Sequence, residues 1–450
     1  MSHHQHLDPE RARTVQQAAA ASFIGNFIEW FDYASYGYLA VIIGSVFFPE
    51  SDPTTQLLST FGVFAVSFIL RPVGAVIWGA WGDRKGRKWA LSWSILIMSG
   101  STFIVGCLPG YHSIGVWAAV LLVAARMGQG FSASGEYAGA STFLAEFAPP
   151  SRRGIYVSLV PASTATGLLL GSLFVSGLFA VLDDAAMITW GWRLPFLLAG
   201  PLGLIGRYIR MHLEDSPTYS AMRAEVGREG RDASRGSTTP LKELLRDHRS
   251  AVLTGFGVSC LNAVGFYLLL SYMPSYLATE LHVPETRATL ATSVTLCFYI
   301  GLILLMGHVS DALGRKRVMA SACCAFIVLT LPLFHVMSFA PFGVLVVCEI
   351  VFAFMLTLND GTLASFLTEI FPTEVRYSGF ALSFNLANTL LGGTAPFVAT
   401  WLISWSHNSS APAYYLVAVA AIALIALLTS HVRIRRNLAA SSGGDASTSL

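Results

Sequence analysis

The residues able to do chemistry in this 450-residue chain stand where charge is least welcome. Glu29, Asp32, Arg71, Arg126 and Glu136 all fall inside long apolar stretches. A charge at the centre of a membrane-spanning helix costs about 2.5–3.5 kcal/mol. These five must therefore pair with one another or face a wet cavity. Gly25, Glu29, Asp32 and Tyr36 follow at spacings of four, three and four, which places them on one helix face. Arg126 and Glu136 lie ten residues apart, about 15 Å along a helix axis, so they serve different depths of one cavity. Three acids and two bases allow two pairs and leave one acid over. A spare carboxylate in a low-dielectric cavity can carry a proton.

The elements that must hold these groups follow from composition. Hydrophobic residues make up 54% of the chain and charged residues only 12%, with a net charge of +2. Soluble domains carry about 25% charged residues. Half that share, at a mean hydropathy of +0.59, leaves too little polar surface to coat a soluble body of this size. A cytosolic enzyme, a disordered chain and a nucleic-acid binder are excluded, and a polytopic membrane protein remains. Barrel strands would alternate polar and apolar residues over ~10 residues. The apolar runs here are continuous, so the expected fold class is all-α. Twelve transmembrane helices are expected at 18–46, 56–81, 89–108, 115–146, 154–182, 191–210, 251–278, 288–308, 317–337, 341–369, 377–405 and 412–432.

Basic residues orient the spans. Arg84, Lys85, Arg87, Lys88, Arg152, Arg153, the 211–250 stretch, Arg315, Lys316, Arg317 and Arg376 share one set of loops. Arg11, Arg13, Arg433, Arg435 and Arg436 join both termini to that set. The opposite loops hold Glu50, Asp52, Asp183, Asp184, Glu280 and Glu285, with Arg287 as their clear base and Arg193 at a helix start. The positive-inside rule then places both termini in the cytoplasm. The first 17 residues show no signal-peptide pattern. His3, His4 and His6 read as a polar tail, and the six cysteines, with no CxxC, read as packing residues. No metal and no cofactor is expected. Asn408-Ser409-Ser410 is a sequon, meaningful only in a eukaryotic secretory route.

The chain repeats itself. Gly79-xxx-Asp83-xx-Gly86-Arg87-Lys88 recurs as Gly307-xxx-Asp311-xx-Gly314-Arg315-Lys316, with Asp83 and Asp311 228 residues apart. Glu146-xx-Pro149-xxx-Arg153 recurs as Glu369-xx-Pro372-xxx-Arg376, at an offset of 223. Two motifs at one spacing argue for two six-helix halves, 18–210 and 251–432. Between and around them lie a cytoplasmic linker at 211–250 and tails at 1–17 and 433–450. These loops and the six-plus-six arrangement resemble the major facilitator superfamily over roughly residues 18–432. A narrower resemblance is to its metabolite:proton symporter family. It rests on Gly25-Asn26-xx-Glu29-Trp30-Phe31-Asp32, Arg71-Pro72-x-Gly74, Arg126-xx-Gln129-Gly130-xxx-Ser134-Gly135-Glu136-Tyr137 and Trp190-Gly191-Trp192-Arg193-Leu194-Pro195-Phe196. Ser134 stands where the family usually has Gly. Tyr267 to Leu277 and Pro412-Ala413-Tyr414-Tyr415-Leu416 most resemble proline/betaine symporters.

The resemblance implies a proton-coupled transporter of the bacterial cytoplasmic membrane that needs only a proton gradient, a small-molecule substrate and the bilayer, and works as a monomer. It implies that Gly79, Asp83, Arg84, Gly86 and Arg87, with Gly307, Asp311, Gly314 and Arg315, form latching loops. Asp32 and Arg126 are expected to form a pair that opens on protonation, freeing Arg126 for a substrate carboxylate. Glu29 or Glu136 is the second protonatable acid, and Arg71 is either a second clamp or the partner of Glu29. The expected substrate contacts are Arg126, Arg71, Asn26, Trp30, Tyr36, Gln129, Asn262, Tyr267, Tyr272 and Asn385. Tyr299 and Asn388 are further neutral candidates. Glu349 and Asp360 share a face but lack a mid-span arginine, so coupling is assigned to the first half. Asp360 is a candidate cavity residue, and Glu349 is placed near the outer surface. Aromatic faces suit a quaternary ammonium and an arginine suits a carboxylate, so a zwitterion such as proline or betaine is favoured over 2-oxoglutarate, citrate or shikimate. An intramembrane enzyme would need an HExxH or GxSxG context, which the spans lack. A non-transporting sensor would carry long extra cytoplasmic domains. The final residues show no heptads, so coiled-coil osmotic regulation is not expected.

Overall fold

The computed structural model describes residues 9–51, 53–213, 220–221 and 240–430. Among these residues every regular element is helical. The first half comprises α1 (Pro9–Tyr38), α2 (Ala40–Phe47), α3 (Pro53–Ile69), α4 (Arg71–Lys85), α5 (Arg87–Cys107), α6 (Tyr111–Ile114), α7 (Trp117–Phe147), α8 (Arg153–Val157), α9 (Leu159–Val181), α10 (Asp184–Thr189) and α11 (Leu194–Met211). A short helix α12 (Pro240–Asp247) leads into the second half. That half holds α13 (Arg249–Phe266), α14 (Met273–Thr279), α15 (Glu285–Leu313), α16 (Arg315–Met337), α17 (Phe342–Ile370), α18 (Arg376–Ala387), α19 (Ala395–Ser406) and α20 (Ala411–Leu428). His3, His4, His6, most of the expected linker and the 433–450 tail lie outside the described residues.

Eight helical segments among the described residues are long and apolar enough to cross a membrane, six of them from Arg249 onward. The other long first-half segments fall short for a readable reason. Helices α3 and α4 are 17 and 15 residues long. Helices α1, α4, α7 and α11 carry all the embedded first-half charges: Glu29, Asp32, Arg71, Arg126, Glu136 and Arg210.

Several expected spans are interrupted. The stretch expected at 18–46 starts at Pro9 and breaks at Leu39. The stretch at 56–81 breaks at Leu70, just before Pro72. The seventh and eleventh spans each contain a π-helical segment, Tyr267–Tyr272 and Asn388–Gly392, and a proline follows each, Pro274 and Pro396. Proline has no N–H to donate and crowds the preceding turn, so the regular ladder cannot run through these points.

Each half is a bundle, and the two meet along two seams. Helices α4 and α7 pack on α18, and α8 and α9 pack on α15. Small residues set the closest approaches. A Cβ on Gly79 would lie 2.6 Å from the Ser378 Cα, and one on Gly307 would lie 2.7 Å from the Gly154 carbonyl oxygen. Within the first half, a Cβ on Gly130 of α7 would lie 1.9 Å from the Ser67 carbonyl oxygen of α3. Backbone atoms cannot step aside as side chains do. Gly130→Val is therefore expected to destabilise the fold by about 1–3 kcal/mol, the usual cost of overpacking, measured as a lower melting temperature by tryptophan fluorescence in detergent.

Candidate functional site: a central cavity between latched halves

At one end of the molecule the repeated loops interlock. Asp83 accepts hydrogen bonds from the Tyr377 and Ser378 backbone N–H groups at 3.2 and 2.9 Å and from the Ser378 hydroxyl at 2.6 Å. It thereby caps α18 of the other half while pairing with Arg87 at 3.3 Å. Asp311 mirrors it, accepting from the Gly154 and Ile155 N–H groups of α8 at 2.8 and 3.1 Å and pairing with Arg315 at 2.7 Å. The second motif completes each network from across the seam. Arg376 pairs with Glu146 at 2.6 Å, and Arg153 pairs with Glu369 at 3.3 Å. Gly86 and Gly314 take φ of 106° and 94°, which strains any other residue. Arg84 points to the exposed surface.

Above this latch lies a narrow cavity lined by Glu29, Trp30, Arg71, Tyr137, Pro161, Thr164, Asn262, Phe266, Tyr299, Phe384 and Asn388. Its core has room for about one water molecule. Aromatic pairs that cross between the halves bracket it. Tyr137 stacks on Phe384 with centroids 4.4 Å apart, and Trp30 meets Phe266 edge-on at 5.0 Å. Tyr267 packs behind, against Trp30 and Phe68.

The embedded charges form three pairs. Arg71 binds Glu29 at 2.7 Å, donates to the Tyr33 hydroxyl at 2.6 Å, and lies over the Phe68 ring at 4.7 Å. Arg126 binds Asp32 at 2.6 Å and stacks on the Tyr36 ring at 3.7 Å. The third pair corrects the sequence count of charges. Glu136 is not left over, because Arg210 of α11 reaches it with two nitrogens. That arginine sits at the last turn of its helix, where the sequence placed it at the end of a span. The fold turns it inward under Gly25, whose missing side chain leaves the space that Glu136 and Arg210 fill.

The pairs differ in completeness. Glu136 also accepts from the Ser94 hydroxyl at 2.8 Å, and Arg210 donates to the Ala21 and Leu91 carbonyls. Every polar atom of this pair is bonded. Glu29 Oε2, Asp32 Oδ1, Arg71 Nε, and Arg126 Nε and Nη2 have no hydrogen-bond partner although buried. Incomplete satisfaction of buried charge is uncommon, and these two pairs are held by fewer bonds than the third.

Of the expected substrate contacts, Trp30, Arg71 and Asn262 line the cavity. Asn26 is spent on the Ser163 hydroxyl and the Val160 carbonyl, and Tyr36 on the Thr60 carbonyl. Gln129 bonds the Thr102 hydroxyl, Tyr272 bonds Thr400, and Asn385 ties Ser134 across the seam at 2.8 Å. Arg126 lies apart from the cavity lining. Sequence reasoning missed Tyr137, Pro161, Thr164, Phe266 and Phe384 as lining residues. Aromatic and small side chains such as these look like ordinary packing, and no motif spacing separates a cavity ring from a core ring. Glu349 is buried and accepts from the Thr295 hydroxyl at 3.1 Å.

Two helical bundles that share a cavity and latch at one end define a membrane transporter. A family model for sugar (and other) transporters matches residues 18–238, and one for the major facilitator superfamily matches residues 255–448. The chain is 39% identical over 415 residues, 91% of its length and 82% of the relative's, to a glycine betaine/proline/ectoine/pipecolic acid transporter of Dickeya dadantii (strain 3937). It is 37% identical over 428 residues, 94% of its length and 85% of the relative's, to a proline/betaine transporter of Escherichia coli (strain K12). Among solved structures, a proton:xylose symporter bound to 6-bromo-6-deoxy-D-glucose superposes with a TM-score of 0.74 at 18% identity, covering 93% of this chain and 95% of that one. The chain belongs to the major facilitator superfamily, in the branch that contains these proline/betaine transporters. It is a multi-pass protein of the bacterial plasma membrane that takes a small-molecule substrate, and not an enzyme.

The saturated pair yields a test of structure. Glu136→Gln leaves Arg210 buried without its counter-charge and is expected to cost about 3–5 kcal/mol. The double variant Glu136→Gln, Arg210→Gln should recover much of that loss in thermal melts. Equal melting temperatures for wild type and Glu136→Gln would count against a structural role.

Proposed function

We propose that the protein imports a small zwitterion of the proline/glycine betaine kind by proton-coupled alternating access. The observation that carries this reading is the cavity lining. Arg71 is the one basic residue there among the described residues, and aromatic faces make up much of the rest. A carboxylate would bind the guanidinium, and an ammonium would sit against Trp30, Phe266, Tyr137 or Tyr299. The same lining disfavours the alternative, a di- or tricarboxylate such as 2-oxoglutarate or citrate, because a dianion would meet only one base. The names of the relatives support the zwitterion.

In this reading the chain crosses the membrane twelve times, with six-helix halves at 18–210 and 251–432. The latch end and both termini face the cytoplasm. The helix order, the repeat and the basic loops support that arrangement. Closure of the latch excludes the cytoplasm, so the opposite end must open to admit solute. Coupling is placed on the two incompletely bonded pairs. A proton on Asp32 removes the charge that holds Arg126, which then gains freedom to move with α7. Glu29 binds Arg71 in the resting cavity, and a solute carboxylate would compete with it. Glu136, saturated by Arg210, serves as a structural acid. The proton gradient is the energy source, no cofactor takes part, and each chain works alone.

In proteoliposomes, labelled proline uptake should follow an inward proton gradient and be competed by glycine betaine but not by 2-oxoglutarate. The reverse competition would establish the carboxylate reading. Asp32→Asn should still equilibrate solute but lose uphill accumulation; retained accumulation would remove Asp32 from coupling. Arg71→Lys should raise KM about tenfold or more, since a point charge replaces a planar fork.

A further inference from the structure

The described residues contain two membrane-embedded acids that have no base at all, and both lie on α17 of the second half. Glu349 is buried and accepts only from Thr295 and Thr292 of α15. Counted by the 223-residue offset of the repeated Glu-xx-Pro-xxx-Arg motif, it stands where the first half has Arg126. The first half thus answers its acid with an arginine, and the second half puts an acid in the arginine's place. Asp360, eleven residues further on, stands by the same count where the first half has Tyr137.

Asp360 is the better placed of the two. It is fully buried and accepts from the Tyr299 hydroxyl at 2.6 Å, the Asn262 amide at 2.8 Å and the Asn359 amide at 3.0 Å. All three donors are neutral. Tyr299 and Asn262 line the central cavity, while Asp360 stands behind them. Two titratable groups face it: Tyr299 from α15 and Tyr137 from α7, across the cavity. No lysine, arginine or histidine of any helix packed against α17 interacts with it among the described residues. A bare carboxylate buried this way carries a heavy desolvation cost, and binding a proton removes it.

We propose that Asp360, with Tyr299 and Asn262, is a proton-binding site of the second half that opens onto the central cavity. A solute cation cannot touch Asp360 past these two side chains, but a proton can pass at the Tyr299 hydroxyl. The step balances simply. A hydrated proton in the cavity forms an O–H bond on an Asp360 carboxylate oxygen and leaves water behind, and release reverses it. A proton arriving at the Tyr299 side lands on Oδ2, which then donates where it had accepted, so the Tyr299 hydroxyl must turn while Oδ1 goes on accepting from Asn262 and Asn359. Protonation itself stands apart from the symport reading above; only its use in coupling rests on that reading.

The test uses the purified full chain. Infrared difference spectra taken through a pH titration should show the carbonyl stretch of a protonated carboxylic acid, and Asp360→Asn should remove one such component. Asparagine matches the neutral acid in shape, so this variant is expected to fold. Tyr299→Phe keeps the acid and should move the midpoint of that same component to higher pH. An Asp360→Asn spectrum identical to wild type would overturn the site, as would an unmoved midpoint in Tyr299→Phe. In proteoliposomes, each coupled proton adds about tenfold accumulation per pH unit of gradient. Asp360→Asn should therefore accumulate proline about tenfold less at a gradient of about one unit, with gradient-free exchange preserved. A full accumulation ratio in that variant would overturn its coupling role. Wild type without gradient-driven uptake but with the Asp360 infrared component would sink symport and leave the proton site standing.

Discussion

Everything in this molecule answers to one constraint: a charge taken out of water must be compensated where it lies. The first half meets it with three buried pairs, Glu29–Arg71, Asp32–Arg126 and Glu136–Arg210. Their cost is visible in the helices that hold them, since α1, α7 and α11, each 18 residues or longer, fall short of the apolar content of a membrane-crossing helix. Only neighbours that supply the opposite charge make these helices tolerable inside a membrane. The bundle order of the first half, with α1 against α7 and α11, is therefore also an electrostatic arrangement.

The same constraint shapes the latch. Each network mixes three residues of one half with an arginine of the other: Asp83, Arg87 and Glu146 with Arg376, and Asp311, Arg315 and Glu369 with Arg153. Parting the halves strands charges on both sides unless water reaches them. A latch of this kind opens only where water can reach it. The carboxylates that cap α18 and α8 add a second demand, since those helix N–H groups lose their acceptors at the same moment.

Charge also separates the roles of the pairs. Glu136 and Arg210 use every donor and acceptor, so moving either one loses several bonds at once. Asp32 and Arg126 rest on one short bond and a tyrosine face, and leave three polar atoms unbonded. A pair with fewer fixed bonds is the easier one to open. In the second half, Glu349 and Asp360 of α17 are held by neutral donors alone among the described residues, so no arginine compensates their charge.

Much of this was legible in the sequence. The scarcity of charge pointed to the membrane, and the spacing of Glu29 and Asp32 placed both on the face that meets Arg71 and Arg126. The pairing of Asp32 with Arg126 was expected from the family resemblance, and the two are in contact. What stayed hidden depended on distance through space. Arg210 lies 74 residues from Glu136 at a helix end where basic residues are ordinary, and only packing under Gly25 turns it inward. The lining rings of Tyr137, Phe266 and Phe384 look like any core aromatics until two bundles place them around one space. Sequence alone determined that charges were embedded and had to be compensated, because that follows from the cost of charge in hydrocarbon. Which charge compensates which, and which acid is left with neutral partners, was decided by tertiary structure, because the Coulomb energy depends on separation in space and not along the chain.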